Sequence, residues 1–282
     1  MHFGIMMFVT DYSMSSAELA IAAEERGFES MWIPEHSHIP TSRISPFPGG
    51  GELPQPYYDV MDPFIALGAA ASVTSKIRLA TGICLVIQRD PIQTAKEVST
   101  LDQISGGRMI FGVGAGWNLE EMSDHGTDPN TRGHLMNERI EAMKVIWEND
   151  KAEYHGKFVN FDEMITRPKP VQKPHPPIVV GGGFPHGARR AIALGDEWMP
   201  VGGRDGDVIE LRSRVRQMAA ESGREPDSLG ISVYGSPTEL DQSKRFADNG
   251  ITRSVFRLPS KKADEILPIL DEAANIMRGV NG

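Results

Sequence analysis

The chain has very little cysteine. Cys84 is the only one among 282 residues. No intrachain disulfide can form, and a reducing compartment such as the cytoplasm is the expected home. No apolar run approaches the roughly 20 residues that span a bilayer, so no membrane association is expected. The N-terminal MHFGIMMFV lacks a basic segment before its apolar run and lacks a small-residue cleavage site, so it is not expected to be a signal peptide. Basic residues are in deficit: 29 Lys and Arg stand against 38 Asp and Glu, a net charge of −9, which argues against nucleic acid as a partner. No G-x-S-x-G elbow, phosphate-binding P-loop or H-E-x-x-H occurs, which removes three familiar hydrolytic and nucleotide-binding chemistries.

What the chain does have is alternation. Short apolar runs rich in Ile, Val and Met, the mark of strands buried on both faces, recur between helical patterns. They are Phe3–Val9, Ser30–Pro34, Ile77–Ile83, Met109–Val113, Ile178–Val180, Glu197–Val201, Gly230–Val233 and Thr252–Phe256. Helix starts are coded by Ser15 with Glu18 and by Ser236 with Glu239, both capping-box spacings. Asp62-Pro63 and Asp90-Pro91 each place a cap before a first-turn proline. Gly106-Gly107 stops the third helix. In the fourth, Met136, Ile140, Met143 and Trp147 form one apolar stripe facing a core. Ala263–Met277 reads as a closing helix.

Eight strands alternating with helices, without a composition break, point to one domain over residues 1–282: an α/β fold, the (β/α)8 TIM barrel, with a doubly wound sheet as competitor. Long connections follow strands two and four (36–61 and 114–132), on the face where barrel enzymes keep their active sites. The first contains SPFPGGGELPQPYY and reads as a lid. Residues 154–177, with a small hairpin and a proline-rich lead-in, read as scaffold.

Three clusters carry candidate chemistry. Gly181, Gly182 and Gly183, then Phe184, lie between a strand and a helix that should start near Pro185. Bare amides and a helix dipole favour an anion there, phosphate above all; a tight packing turn is the competing reading. Arg189 and Arg190 could add charge or face solvent. The second cluster is GVGAGW (112–117). Trp117 stands where a nicotinamide fingerprint needs its third glycine, so passage of a flat ligand over Gly114, Ala115 and Gly116 is the better reading. The third is PEHSHIP (34–40). An imidazole at His36 suits proton transfer near neutral pH. A metal site on His36, His38 and His186 is conceivable, but zinc wants further ligands, so no metal is expected. Cys84, in TGICLV, reads as a small buried hydrophobe.

PEH after the second strand, KEVSTLDQISGGRMIFGVGAGW (96–117) and PPIVVGGGFPHGARRAIALGDEWMP (176–200) resemble the luciferase-like monooxygenase superfamily, in particular its F420-dependent oxidoreductases. The resemblance covers nearly the whole chain. It implies a TIM barrel, a homodimer, and a deazaflavin or flavin lying across the C-terminal strand ends. It implies that Gly181–Phe184 hold the cofactor phosphate and that Gly114–Gly116 run along its ribityl chain or ring. Gly82, Ile83, Cys84 and Leu85 match a bulge with a non-prolyl cis peptide that props the ring. Glu35 and His36 match an acid–histidine catalytic pair. The pocket would be walled by Met6, Met7 and Phe8 together with the 38–60 loop. Larger relatives insert basic residues between strands seven and eight; here Tyr234-Gly235 leads straight on, so a sugar phosphate is an unexpected substrate. The expected activity is hydride transfer between F420 and a small organic molecule. The alternatives are an FMN-dependent monooxygenase on the same barrel, a metal-dependent hydrolase, and a cofactor-binding protein without turnover.

Overall fold

The computed structural model describes residues 1–201 and 203–282. Its barrel strands are β1 (His2–Met6), β2 (Ser30–Ile33), β3 (Arg78–Thr81), β4 (Met109–Val113), β7 (Ile178–Gly181), β8 (Glu197–Met199), β9 (Gly230–Ser236) and β10 (Arg253–Arg257). They close in the order β1-β10-β9-β8-β7-β4-β3-β2 through parallel pairs. The expected (β/α)8 barrel is therefore present. A separate antiparallel hairpin, β5 (Ala152–His155) with β6 (Asn160–Met164), fills the stretch read as scaffold.

The helices are α1 (Ser16–Glu25), α2 (Pro56–Asp59), α3 (Pro63–Val73), α4 (Pro91–Ser105), α5 (Leu119–Asp124), α6 (Arg132–Glu148), α7 (His186–Leu194), α8 (Val208–Glu221), α9 (Leu240–Asp248) and α10 (Ala263–Asn281). Ser15 and Glu18 form the capping box that the spacing predicts, and Asp62 and Asp90 cap α3 and α4. Gly106 ends α4 in the left-handed conformation. The stripe on α6 is fully internal. The box expected at Ser236 and Glu239 does not form. β9 runs on to Ser236 and takes that residue into the sheet, so α9 starts at Leu240 without a side-chain cap.

Two apolar cores follow from strand alternation. Met6, Trp32, Ala80, Ile110, Val179, Met199 and Val255 fill the barrel interior, with Phe8 above them. Their neighbours, Ile5, Met31, Ile33, Leu79, Phe111 and Val180 among them, face the helices. Met7 belongs to that outer core and is wholly buried, so of the three residues expected to wall the pocket it does not.

The barrel floor is polar. Arg253 donates to Glu29 at 2.9 Å and to Glu197 at 2.6 Å, and also reaches Ser232. Burial alone disfavours its charge, but the two carboxylates hold the guanidinium protonated more firmly than usual. The other end of the barrel stays open for a site.

Candidate active site

The mouth is lined by aromatic rings. Phe8 lies 4.4 Å from Tyr57 between centroids, and Phe47 lies 5.2 Å from the same ring. Trp117 receives the edge of His36 at 5.8 Å and of Phe47 at 6.0 Å. Tyr57 and Phe47 arrive on the long connection after β2, which thus forms one wall as expected.

His36 sits at the end of β2 and its Nδ1 lies 2.8 Å from Glu121 Oε2. An ionised carboxylate only accepts, so Nδ1 carries the hydrogen and Nε2 presents its lone pair. No group of the described residues engages Nε2. Glu121 is held in turn: its side chain is 1% exposed and accepts from the Ser37 amide at 3.1 Å. Asn118 caps α5 by accepting from the Glu121 amide, so the cap and the carboxylate are placed by the same turn.

Glu35 is not the partner of His36. Its carboxylate turns away, accepting from the Leu85 amide at 2.5 Å and from Arg89 Nε at 2.6 Å. Adjacent residues in extended chain point to opposite sides, which separates the two. Arg89 also pairs with Asp62 and Glu97, so Glu35 belongs to a scaffold network.

α5 also fixes the lid. Glu120 accepts from the amides of Ile44 at 2.7 Å and Ser45 at 2.9 Å, and from the Ser45 hydroxyl. Desolvation works against its ionisation, yet these bonds outweigh it and bring the carboxyl down to about 2. Asp124 and His125 engage the other side of the loop, through His38 and Ser37. His38 is thereby tied to α5 rather than set beside His36 as a ligand. Among the described residues no cluster of His, Cys, Asp and Glu is arranged to hold a metal ion.

The glycines receive physical reasons. An ideal Cβ on Gly112 would fall 2.0 Å from the Thr81 carbonyl oxygen, and one on Gly114 would fall 1.7 Å from Ile83 Cδ1. Gly181 also meets Ile83. Gly112 is bare because the β3 backbone passes against it, and Gly114 and Gly181 because the Ile83 side chain fills the space beside them. The Gly82–Ile83 peptide is cis. Within Gly82–Leu85 only Ile83 reaches the mouth; Gly82, Cys84 and Leu85 are buried. Burial and the Glu35 carboxylate push the Cys84 thiol well up, which suits an inert core residue. Ala115 and Gly116 are half-exposed beside Trp117.

Gly182 and Gly183 are exposed at the start of α7. Gly182, with φ at +132°, gives up its carbonyl to the Trp198 indole at 2.8 Å. The amides of Gly182, Gly183, Phe184 and His186 have no acceptor among the described residues. Phe184 is pinned between Trp198 and Arg214. Arg190 is spent on Asn137 and Gly133, and Arg189 faces solvent. One group opposes an anion here: Asp205, whose carboxylate would lie 3.0 Å from a Cβ on Gly183 and has a buried oxygen without a partner among the described residues.

Tyr234, at the same mouth, has a buried hydroxyl above Gly82 without a partner among the described residues. Burial strongly disfavours its ionised form, so it stays a neutral donor. Sequence reading missed Glu121, Tyr57 and Tyr234. The N-x-x-E spacing of Asn118 and Glu121 was the one available signal for the first of them.

The fold is shared widely. An F420-dependent secondary alcohol dehydrogenase, solved in complex with an F420-acetone adduct, superposes with a TM-score of 0.78 at 20% identity, covering 100% of both chains. An FMNH2-dependent dimethylsulfone monooxygenase of Pseudomonas putida is 29% identical over 181 residues, 63% of this chain and 49% of its own. An uncharacterized protein of Mycobacterium tuberculosis is 38% identical over 280 residues, 97% of this chain and 98% of its own. A model of the luciferase-like monooxygenase family matches residues 5–248, and on that match, together with the closed barrel, the chain belongs to the luciferase-like monooxygenase family.

Proposed function

We propose that the protein is an oxidoreductase that uses coenzyme F420 to exchange a hydride with a small organic substrate. The observation that carries this reading is the pair of open positions at one mouth: four unpaired amides at the start of α7, and His36 Nε2 within the aromatic wall. The amides of Gly182, Gly183, Phe184 and His186 fit a phosphorylated cofactor arm, since free N–H groups and the helix dipole favour an anion. The orphaned Tyr234 hydroxyl fits a hydrogen-bond acceptor over Gly82. When bound, the deazaflavin would supply or accept the hydride.

The chain's own part is binding, orientation and proton handling. Phe8, Tyr57, Phe47 and Trp117 exclude water around the substrate. His36 takes or gives a proton through Nε2, and Glu121 stabilises the imidazolium that results. The catalytic role that the resemblance gives Glu35 passes to Glu121 in this reading. A homodimer and a cytoplasmic setting belong to the same proposal.

FMN is the second reading, favoured by the named cofactor of the Pseudomonas monooxygenase. The full-length match to an F420 enzyme supports placing F420 first. Fluorescence titration of the purified protein with F420 and with FMN decides between them. Micromolar F420 binding, lost in Gly182→Leu, supports the proposal. Binding of FMN alone reverses the order of the two, and binding of neither removes both.

A further inference from the structure

We infer that Arg43 recognises a carboxylate on the substrate of this pocket. The inference rests on reading the aromatic mouth as the substrate site. Arg43 is the one non-glycine residue with positive φ, at +48°, among the described residues. Such backbone costs free energy for a side chain with a Cβ, and outliers of this kind concentrate at ligand sites.

Its conformation lays the side chain onto the wall. The guanidinium carbon lies 5.8 Å from the Trp117 ring centroid. Nη1 is buried and has no hydrogen-bond partner, and Arg43 makes no ion pair among the described residues. This is not a loose surface arginine. The next two residues, Ile44 and Ser45, are clamped to Glu120 through their amides, so the lid's anchor sets where Arg43 stands.

A buried guanidinium nitrogen without an acceptor is costly until an acceptor arrives. The same indole that carries Arg43 receives the edge of His36, so one ring links the cation to the proton-handling imidazole. A ligand lying along Trp117 could place its reacting carbon near His36 and an oxyanion on Arg43. One unpaired cation suits a monoanion, and a planar fork suits a carboxylate. Arg257, which also lacks an ion pair among the described residues, is exposed at the end of β10.

Benzoate and its neutral isostere benzamide test this. Trp32, Trp147 and Trp198 are at most 1% exposed, so quenching of tryptophan emission reports mainly on Trp117 and needs no cofactor. The wild type is expected to hold benzoate roughly ten- to a hundredfold more tightly than benzamide, the size of one charge-assisted hydrogen bond. R43Q is expected to bind both equally, R43K to keep part of the preference, and R257Q to keep all of it. Absence of saturable benzoate binding, equal binding by the wild type, or a preference that survives R43Q or vanishes in R257Q overturns the assignment. Should R43Q fail to fold, the drop in R43K decides. Carboxylate selectivity without F420 or FMN binding would sink the cofactor proposal and leave this one; cofactor binding without selectivity would do the reverse.

Discussion

His36 and Glu121 are 85 residues apart in sequence and share a hydrogen bond of 2.8 Å at the barrel mouth. The bond fixes which nitrogen of the ring is free. Glu121→Gln keeps the shape but removes the charge that stabilises an imidazolium, and allows the amide to favour the wrong tautomer. Turnover is expected to fall about 10²–10⁴-fold, the range of general acid–base contributions, with cofactor affinity unchanged. Steady-state kinetics beside a cofactor titration would show it; an unchanged pH–rate profile would count against the role.

Glu120 should act on the lid alone. In Glu120→Ala the amides of Ile44 and Ser45 lose their acceptor, so residues 40–53 are expected to be cut several-fold faster by a protease, and KM to rise more than kcat falls. The acid response has a definite sign. The carboxyl is held at about 2 against its ordinary 4.5, so the latch is at full strength above 4.5 and is lost only as pH falls through about 2. Proteolysis in the wild type should therefore stay slow at pH 4.

Asp205 faces the corner proposed for the phosphate. Removing its charge with Asp205→Asn is expected to tighten F420 or FMN binding by roughly three- to tenfold at low salt, and the gain should shrink as salt rises. Titrations at two ionic strengths test this. A weaker complex would mean that Asp205 helps to build the site.

Arg253 holds two carboxylates at the floor. Arg253→Met leaves Glu197 without its counter-charge and Glu29 with only the more distant Arg78, at 3.9 Å, a loss of about 3–5 kcal/mol. The melting temperature is expected to drop by roughly 10 °C. Burial tends to raise the Glu29 carboxyl, but Arg253 outweighs it and holds it below its ordinary 4.5. Its contribution is thus present above that value and fades as the medium becomes more acidic, so the deficit of the variant in thermal melts should be largest near neutrality and narrow in acid.

The architecture was legible because its signals are local. Asp62-Pro63, Asp90-Pro91 and Gly106 act through bonds within a turn, and the apolar runs carry their own period. The motif that carries the family likeness is largely scaffold. Asp102 is wholly buried and accepts from Gln172, and Arg108 donates to carbonyls at the end of α3. Such residues identify the barrel without touching its mouth. The glycines of 112–116 and 181 were readable as places where something approaches closely, but sequence cannot say that the visitor at Gly114 is Ile83. The partner of His36 was hidden for a related reason. Glu35 is next to it in the chain, and only the closed barrel shows α5 brought over β2 to supply Glu121.

α5 spans six residues, and three of its acidic side chains serve three clients: the lid through Glu120, the base through Glu121, and His38 through Asp124. Transplanting the 38–60 segment from a relative to alter selectivity would thus detune the proton relay unless residues 118–125 travelled with it. The two stretches form one exchangeable cassette, although 57 residues of barrel wall and helix separate them in the gene.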